Sequence, residues 1–407
     1  MVASVRSPHL ASAFFDAGPR RFGSAQPLAG ASDRAGIRVS VFDTLEDCAE
    51  LWKAAFADCA GYAFQACAWH RVWLETIGRA ERVSPCIVHI ADRCGRTLML
   101  LPLGVFRRRG VRLLKFLGEP VTDYNGPLID ADFAARLEPR DVRRLWSLIL
   151  RRLPAVDVVW LKRMPETIEG AVNPLIGLPG AVHNENAHAA RLPASLAEFK
   201  ASHSSKLFKD NARLLKRLGE LGPVAFTLGA EGEEAREVTE VMARQKGRRW
   251  LESSGVDLFA KPGYRAFYEQ LASGPDKMTG VHVSALRVGD TVVASHWGVV
   301  HGGRFLYLMP GYEAGAWARY SCGRLLLQQL VEWCLSHRVG VFDLTVGDEP
   351  YKARWADHVL RLYEYLAPRS LRGALFVAWW RGRERLREYP QLRRIARGLR
   401  GGRCASP

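Results

Sequence analysis

The sequence predicts a mixed α/β (α+β) protein of two tandem units, each a mixed, mostly antiparallel sheet flanked by helices. Three observations carry this prediction. One order of elements, ααβββαβ, occurs twice along the 407 residues. The three central strands of each copy are joined by turns too short for anything but antiparallel neighbours. Each copy then closes on a nearly uninterrupted β-branched run that follows an amphipathic helix.

In the first copy, helical patterns over 44–59 and 67–79 precede the strand-like runs "PCIVHIA", "TLMLLPLGVF" and "VRLLKFLG". The turns between them, "DRCG" and "RRRG", end on glycine, which takes positive φ without steric penalty. A helix over 139–153 and the strand "AVDVVWLK" complete the unit. The second copy has helical patterns over 233–252 and 262–273, then "VHVSALRV", "TVVASHWGVV" and "RFLYLMP", joined by "GD" and "HGG". Its helix "CGRLLLQQLVEWCLSHR" repeats Leu326, Leu330, Trp333 and Cys334 at three- and four-residue spacings, and "VGVFDLTV" is the last strand. Matching order and lengths point to duplication.

The polar stretch "LPGAVHNENAHAARLP" (178–193) holds two prolines and no long apolar face, so it reads as the link between units. The expected domains are 37–185 and 186–368, with a basic helical entry (195–222) and a short strand, "VAFTLG", opening the second. Residues 1–36, rich in Ala, Ser, Gly, Pro and Arg, are expected to be disordered. Residues 369–407 form a basic amphipathic tail.

The 58 basic and 42 acidic residues give a net charge of +16, which favours anionic partners. Eleven arginines against two glutamates from residue 369 onward place more than half of it in the tail. That tail either docks its tryptophans, Trp379 and Trp380, on the second unit or meets an anionic membrane or nucleic acid. The eight cysteines form no CxxC pair and read as buried free thiols in a reducing compartment. Neither a signal-peptide core nor a run of ~18 uncharged apolar residues is present. The chain is therefore expected in the cytoplasm, with the tail allowing contact with the inner face of the membrane.

Polar chemistry gathers directly after the last strand, in "FDLTVGDEPYKARW" (342–355). Together with "FLGEPVTDYNGPLI" (116–129), "RQKGRRW" (244–250) and "MPGYEAGAWARYSCGRLLL" (309–327), this box resembles the GNAT acyltransferases. The tandem arrangement resembles their FemAB-like branch. More closely, the motifs resemble bacterial acetyltransferases named after the cellulose-biosynthesis protein CelD, over roughly residues 40–368. The resemblance implies that the fourth strand, "RFLYLMP", and the fifth, "VGVFDLTV", splay to admit the pantetheine arm of acyl-CoA. Arg319, Ser321, Cys322, Gly323 and Arg324 then open a helix whose N–H groups hold a pyrophosphate. Only one glycine stands where the usual Arg/Gln-x-x-Gly-x-Gly/Ala signature has two small residues, and a plain serine N-cap is the alternative.

Acyl transfer to an amine needs a base for the amine and an acid for the departing thiolate. The resemblance implies Tyr351 as the acid. Asp348 or Glu349 can accept the amine's proton, and Lys352 can hold an anion. The same box also reads as a capped turn that packs Tyr351 and Trp355. His296 and Glu313 are further candidates for the base, although a strand histidine is equally a half-buried core residue. Asp123, Tyr124, Trp250 and Trp355 are candidate substrate contacts; Asp123 also reads as a turn former. The first unit has no counterpart of the box and is expected to lack cofactor binding. Metal is not expected, because His296/His301 and His183/His188 are spaced to opposite strand faces.

The resulting expectation is an N-acyltransferase using acyl-CoA on a sugar or sugar-nucleotide amine, with a small-molecule or lipid-linked saccharide acceptor, in bacterial exopolysaccharide or envelope synthesis. The alternatives are a Fem-type aminoacyl-tRNA-dependent transferase and a non-catalytic assembly factor for a polysaccharide synthase. No RNA-binding module is recognisable, so nucleic acid is not the expected partner.

Overall fold

Glycine turns at positive φ (Gly95, Gly110, Gly289, Gly302 and Gly303) fold each expected meander back on itself. The computed structural model describes residues 36–388, Asp276 excepted. The expectations for residues 1–35 and 389–407 lie outside the described residues.

The first half contains β1 (Arg38–Phe42), α1 (Ala49–Asp58), α2 (Cys67–Trp73), β2 (Ser84–Ala91), β3 (Thr97–Arg108), β4 (Val111–Phe116), β5 (Leu128–Ile129), α3 (Ala131–Arg136), α4 (Pro139–Arg152) and β6 (Val158–Pro165). Proline at the first position of α4 and a capping box between Glu138 and Asp141 fix where that helix begins. A small hairpin of β7 (Thr167–Ile168) and β8 (Ala171–Val172) follows, and then β9 (Ala181–Arg191).

The second half contains α5 (Leu196–Ser202), α6 (Ser205–Gly219), β10 (Val224–Ala230), α7 (Gly232–Ser254), α8 (Tyr264–Ser273), β11 (Val281–Val288), β12 (Thr291–His301), β13 (Arg304–Tyr312), α9 (Cys322–Ser336), β14 (Val341–Val346), β15 (His358–Pro368) and α10 (Leu371–Glu388).

Both halves share one sheet of 13 strands, ordered β1-β2-β3-β4-β6-β15-β9-β14-β13-β12-β11-β10 with β5 beside β3. The halves exchange strands at its centre. β9 leaves the first half to pair with β14, and β15 returns from the second to pair with β6. This corrects the expected linker at 178–193, and the expected boundary at residue 185 falls inside β9. Alanine and polar residues carry little strand propensity, but β9 has a ladder partner on each side, which overrides it. The strand β15 also escaped the sequence reading.

The helix pairs of the two halves meet on one face of the sheet. Trp69 of α2 packs edge-on against Phe267 of α8, with ring centroids 5.0 Å apart. On the other face α5, α6 and α9 cover Phe305, Tyr307 and Phe342. The helix α10 docks Trp380 against Trp160 of β6 at 4.6 Å, and it rests on β4 and β6 of the first half together with β15 of the second.

One departure from regular pairing positions everything that follows. β13 pairs in parallel with β14 only at Arg304↔Val341, Phe305↔Phe342 and Leu306↔Asp343. Beyond that point both strands continue, unpaired with each other. Asp343 stands at that point, with its side chain 0% exposed. Its Oδ1 accepts the Thr345 N–H at 2.8 Å and the Tyr124 hydroxyl at 2.7 Å, and its Oδ2 accepts from Arg304 at 2.9 Å. Thr345 takes φ +57, and the β14–β9 register slips between Asp343 and Thr345.

The first half shows the same divergence without a buried carboxylate at the equivalent position, which is Leu161. β4 and β6 pair only at Leu113↔Val158 and Leu114↔Val159, and Arg163 takes φ +53. There the gap is plugged, because Asn125 donates its N–H to Arg163 O (2.9 Å) and its side-chain amide to Lys162 O (3.0 Å).

Removing one partner of a buried ion pair strands the other charge. Asp343→Ala should therefore lower unfolding free energy by roughly 3–5 kcal/mol, as read by urea denaturation. A loss below about 1 kcal/mol would show that Arg304 finds its stabilisation elsewhere.

Candidate active site

β13 and β14 part beyond Leu306, and the box after β14 follows that divergence. Gly347 at φ +115 starts the turn, and a short 3-10 turn at Lys352–Arg354 ends it. Lys352 is buried there. Its three donors are all taken, by Thr345 O (3.1 Å), Val346 O (2.7 Å) and Glu349 (3.0 Å). Two of these acceptors are carbonyls at the diverging end of β14, so the ammonium braces that end. The anion it binds is the neighbouring Glu349 carboxylate, and no donor is left for a ligand.

Tyr351 sits beside this lysine, half-buried, near Glu349, Arg249 and Tyr312. Burial, reinforced by Glu349, pushes its hydroxyl well above the usual tyrosine range, so it stays protonated and able to donate. The opposite wall comes from the last turns of α7. The Arg249 guanidinium lies 5.3 Å over the Tyr312 ring, and the Lys246 ammonium lies 5.6 Å over Trp250. Burial and the neighbouring Arg249 bring Lys246 down to about 8, against the opposing pull of Glu349 and Asp123. Asp123 comes from the loop that plugs the first-half gap, and is held by Arg163 at 2.9 Å. Glu349, which is pushed up by burial, is held below its ordinary value by Lys352. Tyr351, Glu349, Lys246, Arg249 and Asp123 thus converge from three segments.

The start of α9 lies at the end of β13. Ser321 takes φ +52 and makes no side-chain cap; the Arg324 amide donates to Ser321 O at 2.9 Å, which leaves the amides of Cys322 and Gly323 to a ligand. At Gly323 a Cβ would approach Tyr312 to 3.2 Å, so the helix end lies flush against β13. Only the backbone of Cys322 is available, since its buried thiol donates to Trp317 O. Arg319 lies over the Tyr320 ring at 5.0 Å. Arg324 has a buried Nε without a partner, and it faces an open basin of about 1110 Å³ that Arg191, Lys206 and Arg354 also line. Trp355 forms one wall of that basin; buried and stacked on Phe199 at 6.3 Å, it is primarily a core residue.

Four expected residues sit elsewhere. His296 is enclosed, stacked on Tyr307 at 4.5 Å, with both ring nitrogens unpartnered. Burial holds its pKa well below the usual value, so it is a neutral core residue out of reach of solvent. Tyr124 is also fully buried and binds Asp343, not a substrate. Glu313 accepts from Arg248 and Gln245, both at 3.0 Å; these bonds hold it below the ordinary carboxylate range against the pull of burial. Asp348 is exposed and turned towards β9, where His188 lies at 2.8 Å.

Sequence reasoning missed Lys246, Arg249 and Asp343. For Lys246 a signal existed: Met242, Lys246 and Trp250 recur every fourth residue on one face of α7, and a lysine inside such a stripe faces the protein. Among the described residues, no group of three or more His, Cys, Asp or Glu side chains is placed to hold a metal ion.

Comparison with known proteins agrees with this geometry. Residues 205–353 match the family model described as an acetyltransferase (GNAT) domain, a span that runs from α6 into the box after β14. No curated protein matches the sequence. Among solved structures, the chain is similar to FemX, at 10% identity over 78% of this chain and 96% of that one, with a TM-score of 0.54. It also aligns with L-PGS from Bacillus licheniformis (11% identity, 81% and 95% covered, TM-score 0.48). A tandem GNAT protein from the clavulanic acid biosynthesis pathway gives 12% identity, 82% and 99% covered, and a TM-score of 0.43. The FemX likeness spans both halves and shows the fold. The family match, falling on the half in which β13 and β14 part, supports an acyltransferase.

A lysine whose pKa is lower folded than unfolded binds fewer protons in the native state between the two values. Stability then rises with pH across that window, and the cost of burying the charge is fully present below it. Lys246→Met should raise the melting temperature at pH 7, and the gain should shrink as pH climbs from about 8 towards the unfolded value near 10.5. Melting curves at pH 7 and pH 10 check this; equal gains at both would place the ammonium in solvent.

Proposed function

We propose that this chain is an N-acyltransferase that moves an acyl group from acyl-CoA to an amine, carried by a sugar or sugar-nucleotide of a bacterial exopolysaccharide or envelope polymer. One observation carries the reading. Of the two strand divergences the first is bridged by the loop residue Asn125, and the second, where β13 and β14 part without such a bridge, lies inside the GNAT-matched span. The saccharide and the pathway rest on the motif resemblance, and Trp250 offers a ring on which a sugar can stack.

When bound, acyl-CoA supplies an activated thioester. The free edge of β13 beyond Leu306 offers backbone partners to its amide-bearing arm. The amides of Cys322 and Gly323 at the start of α9, with Arg319 and Arg324, suit its phosphates, and a basin lined by Arg191, Lys206 and Arg354 beside Glu198, Asp210 and Asp357 continues beyond them. Tyr351 holds a proton for the departing sulfur. Lys246 stands on the opposite wall, with Glu349 between it and Tyr351, where the acceptor amine must lose its proton. Lys246, near 8, can exist in its neutral form at mildly alkaline pH.

The likeness to FemX keeps a second reading in view, in which an aminoacyl-tRNA is the donor and the basin meets its phosphates. A non-catalytic assembly role is the third. Thermal shift separates them. Acetyl-CoA or a longer acyl-CoA at a hundred times its dissociation constant should stabilise the protein by roughly 2.7 kcal/mol. If only tRNA does so, the donor is misassigned; if neither does, the catalytic reading fails.

Two variants test the assignment of parts. Tyr351→Phe should lower kcat by roughly a hundredfold while leaving acyl-CoA affinity unchanged; undiminished turnover removes Tyr351 from the chemistry. Gly323→Glu should abolish acyl-CoA binding through bulk and like charge, and retained affinity moves the phosphate site elsewhere.

A further inference from the structure

The helix α10 is apolar on two faces, and only one has a partner. Gly373, Phe376, Val377 and Trp380 face the protein. The docking is close, since a Cβ on Gly373 would fall 1.8 Å from Asp157 O. Leu371, Leu375 and Trp379, one turn apart, point outward and are 88%, 74% and 44% exposed. Ala374, Ala378 and Gly382 fill the same stripe at helical spacing and are also exposed. Three large side chains in a row, left in water on an otherwise docked helix, form a contiguous apolar surface of the kind that marks an interaction site.

Its surroundings are cationic. Arg372 and Arg383 flank the stripe on one side, and Arg381 and Arg385 lie on the other; Glu384 is the one acidic residue within 371–385. The tip of the β3–β4 hairpin adds Arg107, Arg108 and Arg109, all exposed. This tip is fixed to the helix: Arg109 lies 5.3 Å over the Trp379 ring, and Arg372 donates to Gly110 O at 3.0 Å. A shallow apolar ridge bordered by arginines and carrying a tryptophan at its edge is the pattern of a helix lying in a lipid interface.

We infer that the outward face of α10 and the β3–β4 hairpin tip together form a docking surface for an anionic lipid bilayer. The leucines and Trp379 enter the interface and the arginines meet the headgroups. This goes beyond the acyltransfer reading and does not depend on it. No helix among the described residues is long and apolar enough to cross a membrane, so the contact is peripheral.

The test is co-sedimentation of the full chain with vesicles of phosphatidylcholine alone or of phosphatidylcholine and phosphatidylglycerol. Binding should need the anionic lipid and weaken with salt. Leu371→Asp with Leu375→Asp should reduce partitioning about tenfold or more, with an unchanged melting temperature because both side chains stand in solvent. Arg107, Arg108 and Arg109 changed together to Gln should weaken it too. Absence of binding to anionic vesicles overturns the inference. So does binding that both variants retain. Capture by duplex or transfer RNA in place of vesicles, or a dimer in light scattering that the leucine variant dissolves, assigns the face to another partner and equally overturns it.

Discussion

A carboxylate inside a sheet has no easy place, and Asp343 keeps its place by drawing on three segments at once. It takes the Thr345 N–H from its own strand, the Tyr124 hydroxyl from the first half, and the guanidinium of Arg304 from the neighbouring strand. Burial raises the carboxyl and these partners oppose the rise. One of those bonds occupies the Thr345 amide at the point where β14 leaves β13. Lys352 braces the far end by binding the carbonyls of Thr345 and Val346, which would otherwise be stranded in a buried position.

The tandem architecture acquires a reason from this arrangement. The loop from Leu117 to Pro127 fills the gap between β4 and β6, presents Tyr124 to Asp343, and carries Asp123 to the vicinity of Lys246. One half has closed its own slot, and the same loop builds part of the other. Strand exchange between β9 and β15 holds that loop in register with the second half, since β6, β15, β9 and β14 are consecutive in the sheet.

Legibility followed periodicity. The strands β11 and β12 and the helices α4 and α9 carry strong alternation or helical stripes, and the reading met them to within about two residues. The strand β9 reads "AVHNENAHAAR", with no alternation to find, and exists because two neighbours supply its hydrogen bonds. Site residues divided in the same way. The box after β14 was visible as polar chemistry following an apolar strand, and Tyr351 and Glu349 do reach the site. Which of its charges would be consumed as struts was not, because the fate of Lys352 depends on carbonyls exposed only by the splay. His296 looked accessible beside small residues, yet Phe305 and Tyr307 close over it. Tyr124 looked like a substrate contact, and the partner that buries it lies 219 residues away.

The central claim is that the parted edges of β13 and β14 form the seat of an acyl donor. Hydrogen–deuterium exchange of the full chain, with and without acetyl-CoA, reads those edges directly. The account predicts that amides of residues 307–312 and of the first turn of α9 gain protection on addition of the donor, while residues 113–116 and 158–165, at the plugged gap, do not change. Protection confined to the first half, or none at either gap, would contradict it.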